Sequence, residues 1–118
     1  MNLPQEGHLL RIIIGESGRH EGMPLYEWIV IRAREQGIAG ATVVRGMMGY
    51  GANSRIKTTS ILRLSEDLPV IIEMIDTREK LENFLELVNP VLKEGLVTFE
   101  KMHIRMYRSS SKNGGSAG

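Results

Sequence analysis

At 118 residues and 13.2 kDa, with 42% hydrophobic and 25% charged residues, the chain has the length and composition of one globular domain and is too short for two. It has no Cys, which excludes a disulfide framework, a thiolate nucleophile and Cys-ligated zinc, and its net charge of +1 is too balanced for a nucleic-acid binder that works by bulk charge. No stretch free of Lys, Arg, Asp and Glu exceeds nine residues, far below the roughly 20 needed to span a bilayer, and the opening MNLPQEGHLL has an acid and no basic lead, unlike a signal peptide; a cytoplasmic protein is expected.

His8 to Gly15 (HLLRIIIG) is a short β-branched apolar run ended by Gly, which predicts a strand. The polar loop ESGRHEG follows. Pro24 suits the first helical position, and Leu25, Trp28, Ile29, Arg32, Ala33 and Gln36 continue at helical spacing until Gly37. The predicted inner face of this helix is Leu25, Trp28, Ile29 and Ala33. Thr42 to Arg45 begins a second strand that runs into GMMGYG, and Ile56 to Leu64 resumes an extended pattern. Pro69 to Ile75 (PVIIEMI) is the next strand. Asp76 and Thr77 signal a helix start, with Glu79 in capping-box position three residues after Asp76. Leu81, Phe84, Leu85 and Val88 form the apolar stripe of that helix, and Pro90 ends or kinks it. Leu96 to Tyr107 closes the domain as a strand whose alternation separates Met102, Ile104 and Met106 from Lys101, His103, Arg105 and Tyr107. One domain over 1–108 is expected, with a disordered tail over 109–118.

The order strand, helix, strand, strand, helix, strand is the α+β, ferredoxin-like βαββαβ arrangement, an antiparallel sheet with both helices on one face. The two central strands nevertheless carry apolar side chains on both faces. Leu9, Ile13, Val70 and Ile72 cannot all point to water without making an interface-like patch. Oligomers packing sheet against sheet would cover it; an edge strand or the tail is the other means.

Between Gln36 and Ser65 there is no Asp or Glu, yet Arg45, Arg55, Lys57 and Arg63 lie there. Gly46, Gly49 and Gly51 echo a phosphate-cradling loop. A dinucleotide fingerprint would open a helix, however, and here the β-like TTSILRLS follows. What remains is a loop whose glycines let backbone N–H groups approach a ligand, with Arg45, Arg55 and Lys57 at hand to neutralise phosphate. A solvated basic loop without a ligand explains the same residues. Met47, Met48 and Tyr50 give it an adaptable apolar tip. Glu16, Ser17, Arg19 and His20 form a secondary ligand wall before the first helix. His8, His20 and His103 match no zinc spacing, and nothing singles out a hydrolytic triad.

GIAGATVVRGMMGYG followed by SILRLSEDLPVIIEMID, together with GMPLYEWIV at the first helix, resembles the domain-of-unknown-function 190 (DUF190, UPF0166) family, related to the PII signalling superfamily. The resemblance runs from about His8 to Tyr107. It implies a ferredoxin-like subunit in a homotrimer, regulation without catalysis, and an adenine nucleotide (AMP, ADP or ATP) held as effector in clefts between subunits. It also implies a loop after the second strand, Arg45 to Ser60 here, that touches a regulated protein partner such as a membrane transporter. On that resemblance Arg45, Gly46 and Met47 lie at the loop base with Gly49 and Gly51 beside them, Arg55 or Lys57 meets phosphate, and Arg105 or Arg108 arrives from a neighbouring last strand. PII proteins proper have a second Gly-rich phosphate loop where this chain has NPVLKEG.

Two other functions are compatible with the same element order. An RNA recognition module would stack bases on aromatics of the central strands, and LLRIIIG and PVIIEMI contain none. A small phosphate-hydrolysing enzyme of acylphosphatase type would need an Arg and an Asn near a strand end, for which Arg19 and Asn53 are weak candidates.

Overall fold

Ile12, Ile13 and Ile14 are stiff at χ1 and favour extended backbone, and they lie in the longest strand of the molecule. The computed structural model describes residues 6–50, 57–58 and 67–110. In chain order the elements are β1 (Glu6–Gly15), β2 (Arg19–His20), β3 (Met23–Pro24), α1 (Leu25–Glu35), β4 (Gly40–Arg45), β5 (Met48–Gly49) and β6 (Lys57–Thr58). They are followed by β7 (Pro69–Asp76), α2 (Arg78–Val88), a 3-10 turn (Asn89–Val91) and β8 (Leu96–His103). Four strands form one antiparallel sheet in the order β4, β7, β1, β8. This is the expected α+β ferredoxin-like arrangement, with the first and third long strands in the middle.

The register sorts the side chains by face. Ile12 lies opposite Ile72 on one side and Val97 on the other. With it, Leu10, Ile14, Val70 and Met74 point toward Leu25, Trp28, Ile29 and Ala33 of α1 and Leu81, Phe84 and Val88 of α2, in one buried core. The predicted inner faces of both helices are the observed ones. Each of these large side chains contributes about 1.5 to 3 kcal/mol on leaving water.

The helix boundaries differ from expectation in small ways. Pro24 sits just before α1, at its N-cap, with φ −56°, and Gly37 closes the end with φ +76°. The cap of α2 is Thr77, whose hydroxyl accepts from the Lys80 N–H at 3.3 Å. The box expected from Asp76 to Glu79 therefore does not form. Asp76 is the last residue of β7 and its register turns it inward, 2% exposed, where it accepts from the Ala39 N–H at 2.9 Å and the Thr77 N–H at 2.6 Å. The polar loop before α1 is itself a hairpin of β2 and β3, turned by Glu21 (φ 52°) and Gly22 (φ 81°).

The second face of the sheet carries Leu9, Arg11 and Ile13 from β1 and Ile71, Glu73 and Ile75 from β7, with Val44 and Leu96 on the flanking strands. Both faces are apolar, as the sequence implies, but the membership differs: Val70 and Ile72 pair with Ile14 and Ile12 and so face the helices. At the centre of the second face Arg11 Nη2 lies 2.8 Å from Glu73 Oε2 and 3.8 Å from Glu100 Oε1.

The last strand is shorter than Leu96 to Tyr107. β8 ends at His103, which pairs with Glu6, the first described residue of β1. Beyond it the chain turns across this end of the sheet. A Cβ on Gly7 would lie 2.7 Å from Ile104 Cδ1, and the Tyr107 hydroxyl donates to the Ala39 carbonyl at 2.8 Å, beside β4. Residues 104–107 thus form a strap over one end of the second face. The expected tail lies, apart from Ser109 and Ser110, outside the described residues.

Candidate functional site

The sheet brings three connections to one end: the β1–α1 loop, the loop after β4 and the segment after the 3-10 turn. β4 delivers Arg45 there, opposite Val70. The next residue is pinned, because the Gly46 N–H donates to the Pro69 carbonyl at 2.7 Å. A Cβ on Gly46 would come within 2.8 Å of Pro69 Cγ, and one on Gly49 within 3.1 Å. The spacing Gly46 to Gly49 therefore has a packing cause in the proline ring beneath it. The Gly46 N–H, read from the sequence as a group that could approach a ligand, is occupied here by that carbonyl.

Arg45 is exposed and makes an ion pair, Nη1 to Glu16 Oε2 at 3.0 Å, across 29 positions of sequence. Glu16 is held in turn: its N–H donates to the Leu68 carbonyl at 2.8 Å, while the next N–H, of Ser17, donates to Asp67 Oδ1 at 2.6 Å. Beyond Gly46, Met47 (74% exposed), Met48 (64%) and Tyr50 (69%) present the apolar tip that the sequence suggests. Lys57 stands opposite Gly49 in the β5–β6 ribbon, which returns its backbone to the loop base. Gly51, Arg55 and Asn53 lie outside the described residues, as does the stretch 59–66.

Arg105 and Arg108 are not part of this cluster within one chain. Arg105 lies on the strap and Arg108 directly follows it, at the end of the sheet where β4 begins, and the length of β4 separates that end from Arg45 by about 15 to 20 Å.

Next to the loop base, a cavity of about 520 Å³ opens between Ser17, Gly18, Arg19, His20, Asp67 and Lys93. Ser17, Arg19 and His20 of the expected wall line it and Glu16 does not, while Asp67, Lys93 and Glu94 join from segments the sequence does not connect to it. Arg19 is engaged locally, donating to the Gly22 carbonyl at 2.8 Å. A larger open groove, about 850 Å³, follows the outer side of α2, but Glu79, Glu82 and Glu86 line it and disfavour an anion. His20 meets Trp28 edge-on at 4.7 Å and His8 meets Phe99 at 6.4 Å, so both rings are packing partners. Among the described residues no three His, Asp or Glu converge on one point, and no helix is long and apolar enough to cross a membrane. On the second face the residues of the two central strands include no aromatic ring on which a base could stack.

Comparison with known proteins agrees with this architecture. The chain is similar in fold to CPII, a nitrogen regulatory PII-like protein from Thiomonas intermedia K12 solved with ADP, AMP and bicarbonate, at 18% identity and a TM-score of 0.64 over 84% of this chain and 88% of that one. It is 40% identical over 96 residues to a UPF0166 protein of Aquifex aeolicus, covering 81% of this chain and 90% of that protein. It is 36% identical over 97 residues to one of Methanocaldococcus jannaschii, covering 81% and 89%. Residues 7–104 match the model of the family DUF190, described as Uncharacterized ACR, and the chain belongs to that family.

Proposed function

We propose that this protein is a regulatory subunit of PII type. Three copies pack their second sheet faces together, and an adenine nucleotide (AMP, ADP or ATP) binds as an effector in the clefts between them, with no catalytic step. The observation that carries this reading is that second face. Ile13, Ile71, Ile75, Val44 and Leu96 stand on it, and among the described residues only the strap reaches over one end. Apolar area of this kind on a stable subunit marks an interface.

Arg45, Gly46, Met47 and Gly49, with Gly51, would form the nucleotide wall at the loop base, and Arg55 or Lys57 would meet phosphate. Arg105 or Arg108 would arrive from the neighbouring copy. The separation of Arg45 from Arg105 and Arg108 within one chain supports a site made by two chains. The fold likeness to CPII, whose structure holds ADP and AMP, supports the ligand class. The exposed Met47, Met48 and Tyr50 would meet a regulated partner, for instance a membrane transporter, from the cytoplasm.

Mass measurement in solution and calorimetry with AMP, ADP, ATP and cyclic AMP test the reading together. A particle of three chains that binds at least one nucleotide is expected. Arg45→Ala should weaken that binding by about tenfold, the scale of a charge-assisted hydrogen bond, at unchanged mass. A monomer, or a trimer silent to all four nucleotides, would refute it.

A further inference from the structure

We propose that Glu16 is an internal competitor for the anion at Arg45, a carboxylate latch that the ligand must displace. The inference rests on the assignment of Arg45 to the anion site. Its basis is the 3.0 Å contact between Glu16 Oε2 and Arg45 Nη1. Neither partner reaches the other by chance of a long side chain on a loose loop. Glu16 and Ser17 are tied through their N–H groups to Leu68 and Asp67, and Gly46, directly after Arg45, is tied to Pro69. Both ends of the ion pair are therefore docked on the same three residues, 67 to 69.

The pair is also open to exchange. The Arg45 side chain is 59% exposed and that of Glu16 33%, so an anion can reach the guanidinium without unfolding anything. A phosphate takes a guanidinium through two parallel N–H bonds, and a carboxylate resting on one of its nitrogens stands in that approach. An arriving phosphate must share Arg45 with Glu16 or evict it. Eviction frees the carboxylate that joins the β1–α1 loop to the end of β4. Ser17 and Gly18, which follow Glu16 and wall the cavity with Arg19, then report ligand occupancy at the loop base.

The experiment is a calorimetric titration of ADP into the wild-type protein, Glu16→Gln, Glu16→Asp, Arg45→Ala and the double variant E16Q/R45A. Glu16→Gln should bind ADP about two- to fivefold more tightly, the range an exposed ion pair commands. Glu16→Asp keeps the charge but draws the carboxylate back by one methylene, and should recover part of that gain. In the Arg45→Ala background Glu16→Gln should change nothing. Unchanged or weaker binding by Glu16→Gln overturns the latch. An equal gain without Arg45 also overturns it, since Glu16 would then act only as a distant repulsive charge. Should the wild type bind AMP, ATP or cyclic AMP but no ADP, that nucleotide replaces ADP in the titration; should it bind none of the four, the nucleotide reading fails separately, and inorganic pyrophosphate becomes the probe. Binding of pyrophosphate by Glu16→Gln that the wild type lacks would sustain the latch, and silence of both would end it.

Discussion

Asp76 illustrates how one side chain can join elements that the sequence leaves apart. Its carboxyl, 2% exposed, accepts the N–H groups of Ala39 and Thr77, and Lys80 Nζ approaches it at 3.4 Å while donating to the Gly37 carbonyl at 2.6 Å. The turn after α1 and the first turn of α2 are thereby tied to the end of β7. Asp76→Ala leaves two part-buried donors without acceptors, and a loss of about 2 to 4 kcal/mol is expected in urea unfolding. Asp76→Asn, which keeps one acceptor oxygen, should lose less; equal losses would mean that packing rather than hydrogen bonding sets the cost. Local sequence rules assign Asp76 to a helix cap because an acid before a helix commonly serves there. Its true partner, Ala39, is 37 positions away and becomes visible only with the register of the sheet. The same holds for Gly46 and Gly49. That these positions want glycine is legible from the sequence, but Pro69, which makes them want it, is not. Gly95 belongs with them: its φ of +134° and the 2.6 Å that a Cβ would leave to the Ile13 carbonyl admit no side chain at the turn into β8.

Among the elements, the four long strands and two helices are legible because each carries its own period, two for the strands and 3.6 for the helices. The β2–β3 hairpin is hidden by its polar composition, its signal reduced to a Gly after a residue of positive φ. The strap is hidden for the opposite reason. Alternation of Met102, Ile104 and Met106 continues past His103 as if the strand did, but from Ile104 the chain leaves the ladder and crosses toward Ala39. Strand geometry depends on pairing as much as on side-chain pattern. Tyr107 fastens the strap through a single hydroxyl. Tyr107→Phe should therefore cost about 0.5 to 1.5 kcal/mol locally and speed amide hydrogen exchange at Ala39 and along 104–107, leaving β1 and β7 unchanged. Uniform exchange in both proteins would show that the strap is held by Ile104 instead.

For the whole molecule, what the sequence could convey was that apolar residues exceed one face. Which of them share a face required the pairing of Ile13 with Ile71 and Leu9 with Ile75. The trimer proposal makes that pairing testable. A Lys beside Ile13 on a packed apolar face is cut off from water, and the nearby Glu73 is already paired with Arg11, so Ile71→Lys should lower the solution mass from three chains to one, while far-ultraviolet circular dichroism is retained. A trimer that survives both Ile71→Lys and Ile13→Lys would place the interface elsewhere.

Arg11 and Glu73 stand in the middle of this same greasy surface, joined at 2.8 Å. An ion pair deprived of water adds little adhesion and can subtract from it, since stripping hydration from two charges costs several kcal/mol per ion. It does, however, penalise every misaligned stacking that would part the two charges or set them against bare hydrocarbon. The consequence is a surface that is less sticky than its oil content suggests and more discriminating about what may lie upon it.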